Sequence, residues 1–291
     1  MVNISRQSRT YAIITAALGL IGALLRTIEL NTVFEPETGL ALRWQPITIS
    51  LALLSAAAIV FFVILSGRLK NLESPPTYCS ALENKSSLAL VVSTLAALGF
   101  AIGSVLYYKD RVGEVTALIL MLCGFITALS AFMLARNVYF GKEHPGNAVF
   151  STIIVFFVCL WMVLEYRMRA ADPVVLRYVY DFLALCAASV AFYYKAGFAF
   201  DRPRPSRTVL FSMIACYFCL VAMPGASGNA QPIFFYCLAL LLFADLPAVI
   251  GNLKEKGENE EIEEQDEQEQ EEQEEQEEQE EQEEPEDESS L

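Results

Sequence analysis

Residues 232–251 read PIFFYCLALLLFADLPAVIG, a run in which Asp245 is the only charged side chain. A helix needs roughly 20 apolar residues to cross the hydrocarbon core of a bilayer. Seven similar runs precede this one, so we expect helices near residues 10–27, 46–66, 87–108, 115–135, 148–165, 174–199, 208–224 and 232–251. Lipid offers no partner to unpaired backbone groups. The sequence therefore predicts an all-α, polytopic transmembrane bundle of about eight helices.

The charge of the chain is divided between two segments. Residues 1–254 carry 19 Lys and Arg against 13 Asp and Glu, a net charge of +6, and residues 255–291 carry −21, which together give −15. The second segment is almost only Glu and Gln, so like charges repel and little apolar surface can be buried. We predict an integral membrane domain over residues 1–254 and a disordered, cytoplasmic tail over residues 255–291. The tail is either a solvated appendage or a ligand for a basic protein or for cations.

Loop Lys and Arg residues set the orientation of a membrane protein. With the N-terminus inside, the cytoplasmic segments hold thirteen of them and the outer segments hold seven. The distribution favours a multi-pass protein of the cell membrane with both termini in the cytoplasm.

Two ionisable residues fall well inside predicted helices, where a charge is costly and usually has a partner or a function. Asp245 lies six residues before the end of the eighth helix, and Lys195 lies six residues before Asp201 at the end of the sixth. Each is roughly 9 Å from the same boundary at 1.5 Å per residue. We hypothesise that they form an intramembrane pair. The alternatives are that Lys195 extends to the interface while Asp245 hydrogen-bonds near Pro247, or that the two form a proton- or ion-coupled site.

The stretch EYRMRAADPVVLRYVYDF (165–182) concentrates charge on the outer side of the predicted bundle. Asp172 followed by Pro173 is typical of a helix start, with an N-cap side chain and then proline in the first turn. One interpretation is an interfacial helix start with anchoring charges. The other is an outer vestibule that collects a substrate. Its candidate residues are Arg167, Arg169, Asp172, Arg177 and Asp181.

The part of the chain over residues 165–200, which ends in YYKAGFAF, is similar to uncharacterised bacterial multi-pass membrane proteins with short loops. This resemblance implies a bacterial inner-membrane protein and carries no function with it.

The two halves of the membrane domain also resemble each other. LLRTIEL, FEPETGL and LALLSAAAIVFF in the first half correspond to VLEYRMR, ADPVVL and LALCAASVAFYY in the second, at an offset of 132 to 137 residues. The correspondence indicates a four-plus-four parallel repeat, an arrangement known in transporters.

Several function classes lack their motifs. His144 is the only histidine, which argues against a zinc site built from several histidines. No nucleotide-binding loop, nucleophile with a companion base or dense basic patch is present, so we expect no cofactor, no metal, no nucleic-acid partner and no enzymatic activity. The motif GFAIG (99–103) is better interpreted as a helix-packing face.

Two classes of function remain. The repeat, Asp245 with its nearby proline and the charged outer stretch favour a small-solute transporter or a ligand-binding membrane protein. The alternative is a non-catalytic scaffold, sensor or assembly component, which the scarcity of buried charges favours. The bilayer is the expected environment of either, and the sequence does not identify a small-molecule ligand.

Overall fold

The computed structural model describes residues 4–35, 45–70, 72–75, 77–170 and 174–255. The α-helices over these residues are α1 (Ile4–Thr32), α2 (Pro46–Gly67), α3 (Tyr78–Leu82), α4 (Ser87–Lys109), α5 (Val115–Phe140), α6 (Gly146–Arg169), α7 (Val175–Ala196), α8 (Pro205–Ala222) and α9 (Ala230–Gly251). Single 3-10 turns follow α7 and α8, at Gly197–Phe200 and Met223–Gly225. A two-residue antiparallel pairing joins β1 (Leu72–Glu73) to β2 (Lys254–Glu255).

Eight of these helices are long and apolar enough to span a membrane, which confirms the predicted fold class and helix count. The short helix α3, in the connection between α2 and α4, was not predicted. Residues 256–291 lie outside the described part of the chain. The predictions that fall on them, a disordered tail and a basic protein or cations as its partner, therefore stay predictions.

Several helices extend beyond the apolar runs that predicted them, among them α5, which ends at Phe140. α1 continues to Thr32 and α6 to Arg169, so the charged residues at these ends are helical and do not belong to loops. A run of apolar residues predicts only the part of a helix that lies in lipid or in the protein core. A final turn that contains charged residues is not recognised in this way. α7 begins at Val175. The predicted helix start at Asp172 and Pro173 lies outside the described residues.

The helices α8 and α9 form the centre of the bundle. In each of them 61% of the apolar span is buried, against 22% in α2. α9 packs against α1, α4 and α8, and α8 packs against α1, α2, α7 and α9. The outer helices turn large apolar side chains outward, among them Leu53, Leu95, Leu122, Val149 and Phe156, and these side chains contact the lipid bilayer.

The two halves of the bundle do not pack alike. α7 packs along α8, the next spanning helix in the chain. Its counterpart α2 does not pack in this way along α4, the next spanning helix in the first half, but packs on α1 and α8. The four-plus-four repeat stays a prediction. We call the end of the bundle at which α9 ends the C-terminal side, and the other end the opposite side.

The GFAIG motif faces α9. A Cβ atom at Gly99 would overlap Cys237 Sγ, and a Cβ atom at Gly103 would lie 2.8 Å from Cε1 of Phe234. Small residues let two membrane helices approach closely. The predicted packing face is therefore the contact between α4 and α9.

We expect Gly103→Ala to lower the free energy of unfolding by about 1–3 kcal/mol, because Phe234 or the backbone must shift to admit the methyl group. The thermal unfolding midpoint of the full chain in detergent measures this. Gly67→Ala is the matched control, since a Cβ atom there meets nothing within 4 Å. An equal loss in both variants would contradict the packing argument.

Candidate functional site

Lys195 of α7 and Asp245 of α9 form a salt bridge between Nζ and Oδ2 near the C-terminal side. The Lys195 side chain is 9% exposed and that of Asp245 is 20% exposed, so the pair is largely removed from solvent. The structure thus brings together the two intramembrane residues that the sequence singled out.

A cavity of about 30 Å³ adjoins this pair. Its wall includes Tyr78 of α3 and Ser93 of α4 besides the two charged residues. Because a bound water needs roughly 10–15 Å³ of such space, the cavity has room for about two water molecules. It is too small for an organic solute as it stands.

Tyr78 contributes a hydroxyl group to the cavity. The residue is 3% exposed, and its hydroxyl oxygen makes no hydrogen bond of regular geometry. Burial raises the pKa of Tyr78 to about 12, although the charge of the neighbouring Lys195 acts in the opposite direction. The phenol is therefore neutral at physiological pH and can donate a proton in a hydrogen bond to whatever occupies the cavity.

The helix α3 packs on α5 and α9, contributes Tyr78 to the wall of the cavity and is held at both ends. At its start the Cys79 N–H donates to Glu143 Oε1 at 2.7 Å. At its end the amide of Asn252 donates to the carbonyl oxygens of Ser80, Ala81 and Glu83, at 3.2, 3.2 and 3.1 Å. These bonds satisfy backbone groups that a short helix leaves free. They attach α3 to the α5–α6 connection and to the end of α9.

A second buried cluster lies on the opposite side, around Arg169 at the end of α6. Its Nη1 contacts Asp181 Oδ2 of α7 at 2.9 Å, and its Nη2 donates to Gln231 Oε1 of α9 at 3.0 Å. Its Nε lies 3.1 Å from Glu165 Oε2, an ion pair without hydrogen-bond geometry. Gln231 in turn donates through Nε2 to Glu165 Oε1. Arg169 therefore joins three helices.

A further pair, Arg26 and Glu29 of α1, adjoins this cluster. Both side chains are fully buried, and Nη1 of Arg26 contacts Glu29 Oε2 at 2.6 Å. The Arg26 guanidinium also donates to the Arg177 carbonyl oxygen and lies 4.9 Å from the centre of the Tyr180 ring. Since Tyr180 precedes Asp181 in α7, the two groups of charges are neighbours. We call them together the buried charge network, which consists of Arg26, Glu29, Glu165, Arg169, Asp181 and Gln231.

The predicted vestibule residues do not act as one group. Arg169 and Asp181 belong to the buried charge network, whereas Arg167 and Arg177 are exposed at the surface. Arg177 lies four residues before Asp181 in α7, but the ion pair of Asp181 is with Arg169 of α6. Asp172 lies outside the described residues.

The sequence missed four residues of the network because they lie at the ends of apolar runs and were assigned to helix boundaries. These residues are Arg26, Glu29, Glu165 and Gln231. The spacing of Arg26 and Glu29 by three, and of Glu165 and Arg169 by four, is the signal that could have found the pairs.

A layer of aromatic rings separates the network from the cavity. Trp161 of α6 lies 5.1 Å from Phe234 and 4.9 Å from Phe235 of α9, and Phe157 lies 5.4 Å from Phe234, measured between ring centroids. Phe100 of α4 completes the layer at 5.6 Å from Phe157. All five rings are buried. Packed aromatic rings therefore occupy the interior of the bundle between the two polar sites.

No family model, curated protein or solved structure matches the chain. The resemblance of residues 165–200 to uncharacterised bacterial membrane proteins accordingly stays a prediction.

We expect Arg169→Gln to lower the thermal midpoint of the full chain far more than Arg167→Gln, which removes the same charge from an exposed position two residues earlier. Removing one partner of a buried ion pair costs about 3–5 kcal/mol, because the other charge is left uncompensated. Adding Asp181→Asn to Arg169→Gln should restore part of the loss. Equal effects of the two single variants would show that the cluster does not depend on this charge.

The Lys195–Asp245 pair is tested by a double-mutant cycle. Lys195→Met and Asp245→Leu each leave one charge buried, so the double variant should be more stable than the sum of the single losses indicates. The thermal midpoints of the four proteins in detergent measure the coupling, with the exposed Lys70→Met combined with Asp245→Leu as control. Additive losses in the Lys195 cycle would mean that the pair contributes no coupling.

Proposed function

We propose that the chain is a membrane transport protein for a small polar solute, with a path along α6 and α9 beside α7. One observation carries the proposal: α9 contributes a polar side chain to each of the two sites, Gln231 and Asp245, with aromatic rings between them. On α9, Gln231 and Asp245 are 14 residues apart, which is about 21 Å at 1.5 Å per residue. α6 and α9 follow the same order, from charge network to aromatic layer to cavity.

The two ends of this path differ in how they meet solvent. On the opposite side, a surface depression of about 420 Å³ reaches Gln231 and Ser227. On the C-terminal side, α3 contributes Tyr78 to the wall of the small cavity beside Lys195 and Asp245. Two polar sites on one helix, separated by packed aromatic rings, suit a transporter that must rearrange to connect them.

The charges of the network favour a cation or a proton as the solute. Three carboxylates, from Glu29, Glu165 and Asp181, face two guanidinium groups, from Arg26 and Arg169, which leaves one negative charge in excess when all are ionised. Oε1 of Glu29 and Oδ1 of Asp181 are buried without hydrogen-bond partners. An uncompensated carboxylate in a dry environment gains most from a proton or a small cation.

The proposal includes a location in the cell membrane with the C-terminal side toward the cytoplasm, in agreement with the loop Lys and Arg residues. It includes no enzymatic step. The scaffold, sensor or assembly role is the alternative, and the following experiment separates the two.

The test measures water access to the cavity from each side of the membrane. In a full chain without its native cysteines, Ser93→Cys reports on the cavity wall without disturbing the ion pair, and Ser227→Cys reports on the opposite side. Ser130→Cys is the control, because Ser130 is 2% exposed and hydrogen-bonds only within its own helix. Intact and inverted vesicles are treated with a membrane-impermeant thiol reagent.

A transporter that alternates between two states exposes the thiol of the Ser93→Cys variant from both sides. The thiol of Ser130→Cys stays protected, and that of Ser227→Cys reacts from one side only. Since the cavity has room for about two waters only, a larger thiol reagent needs a wider state of the path to enter it. Protection of the thiol at position 93 from both sides would support a scaffold. Reaction from one side alone would support a sensor or a ligand-binding protein, and either result contradicts transport.

A further inference from the structure

The connection between α7 and α8 forms a groove with a basic end and an apolar wall. The groove has a volume of about 550 Å³ and lies on the C-terminal side. Its basic end is Arg202 and Arg204, and its wall includes Tyr193, Phe200 and Val155. It belongs neither to the cavity of the ion pair nor to the buried charge network.

The local backbone presents the two arginines in a fixed way. The 3-10 turn at Gly197–Phe200 ends at Asp201, whose φ of 53° is left-handed, and the Arg202 N–H donates to the Gly197 carbonyl oxygen at 2.9 Å. Pro203 and Pro205 flank Arg204 and restrict its backbone. The loop is thus a rigid turn that carries two guanidinium groups at the end of the apolar groove.

Neither guanidinium group has a partner among the described residues. Arg207, the third arginine of the loop, donates to the Tyr194 hydroxyl at 3.4 Å, but Arg202 and Arg204 have no hydrogen bond or ion pair from their side chains within the described chain. The apolar wall is open as well, since Tyr193 is 64% exposed and Phe200 is 54% exposed. The groove offers two free cations next to free apolar surface.

We propose that this groove binds an anionic phospholipid of the leaflet on the C-terminal side, with its phosphate at Arg202 and Arg204 and an acyl chain along Tyr193, Val155 and Phe200. Guanidinium groups bind phosphate oxygens in pairs of charge-assisted hydrogen bonds. Basic pockets between membrane helices are suited to anionic lipid headgroups. The acidic residues 256–291 could neutralise the arginines, but they contain only Ile262, Pro285 and Leu291 to cover the apolar wall.

The full chain in detergent is titrated with phosphatidylglycerol and with phosphatidylcholine of the same acyl chains, and native mass spectrometry counts the lipids bound. The wild-type chain should bind its first phosphatidylglycerol on the order of tenfold more tightly than phosphatidylcholine, given two basic groups at the surface of the groove. The double variant Arg202→Gln and Arg204→Gln should bind both lipids equally. Thr152→Trp, which keeps both arginines but fills the wall of the groove, should weaken both lipids.

The matched control is Arg68→Gln with Lys70→Gln, two exposed cations on the same side but outside the groove. It should keep the preference for phosphatidylglycerol, and circular dichroism should show that every variant keeps its helix content. An equal loss in the control would reduce the effect to general charge attraction and overturn the proposal. If the wild type shows no preference and the double variant changes nothing, the arginines are occupied by the acidic segment, and the proposal is wrong.

Discussion

The guanidinium group of Arg169 is the interaction on which the opposite side of the bundle depends. A charge removed from water costs several kcal/mol unless its partners are close and well oriented. Arg169 obtains them from its own helix, from Asp181 of α7 and from Gln231 of α9. The three helices must therefore approach one another at a fixed height and rotation, and the aromatic layer beneath follows from that arrangement. Nε1 of Trp161 makes the link directly, since it donates to Glu165 Oε1 at 3.1 Å.

The two polar sites differ in how they offset the free-energy cost of burying charges. The buried charge network spreads five charges over three helices and leaves carboxylate oxygens without hydrogen bonds. The Lys195–Asp245 pair is neutral as a unit and adjoins a small cavity whose wall includes Tyr78. A buried polar atom without a partner costs free energy, and a bound polar ligand or proton reduces that cost. This is why both sites, and not the packed centre of α8, carry the functional proposal.

Apolar length made the eight spanning helices predictable, because a bilayer accepts little else. Depth along two such helices also made Lys195 and Asp245 a natural pair. The buried charge network was harder to predict from the sequence. Glu165 and Arg26 lie at the ends of apolar runs, where charged residues usually belong to loops. The partner of Asp181 depends on how α6 and α7 rotate against each other, and a single helix face suggests Arg177 instead. The helix α3 has only five residues, and its stability comes from Glu143 and Asn252, far away in the chain.

The pairing of β1 with β2 joins the last described residues to the segment that precedes α3. Asn252 and Lys254 thus connect the end of α9 to the segment around α3. The acidic segment begins directly after Glu255, so its point of attachment to the membrane domain lies next to α3. A charge-rich segment and the wall of the cavity that Tyr78 lines are therefore separated by only a short stretch of backbone.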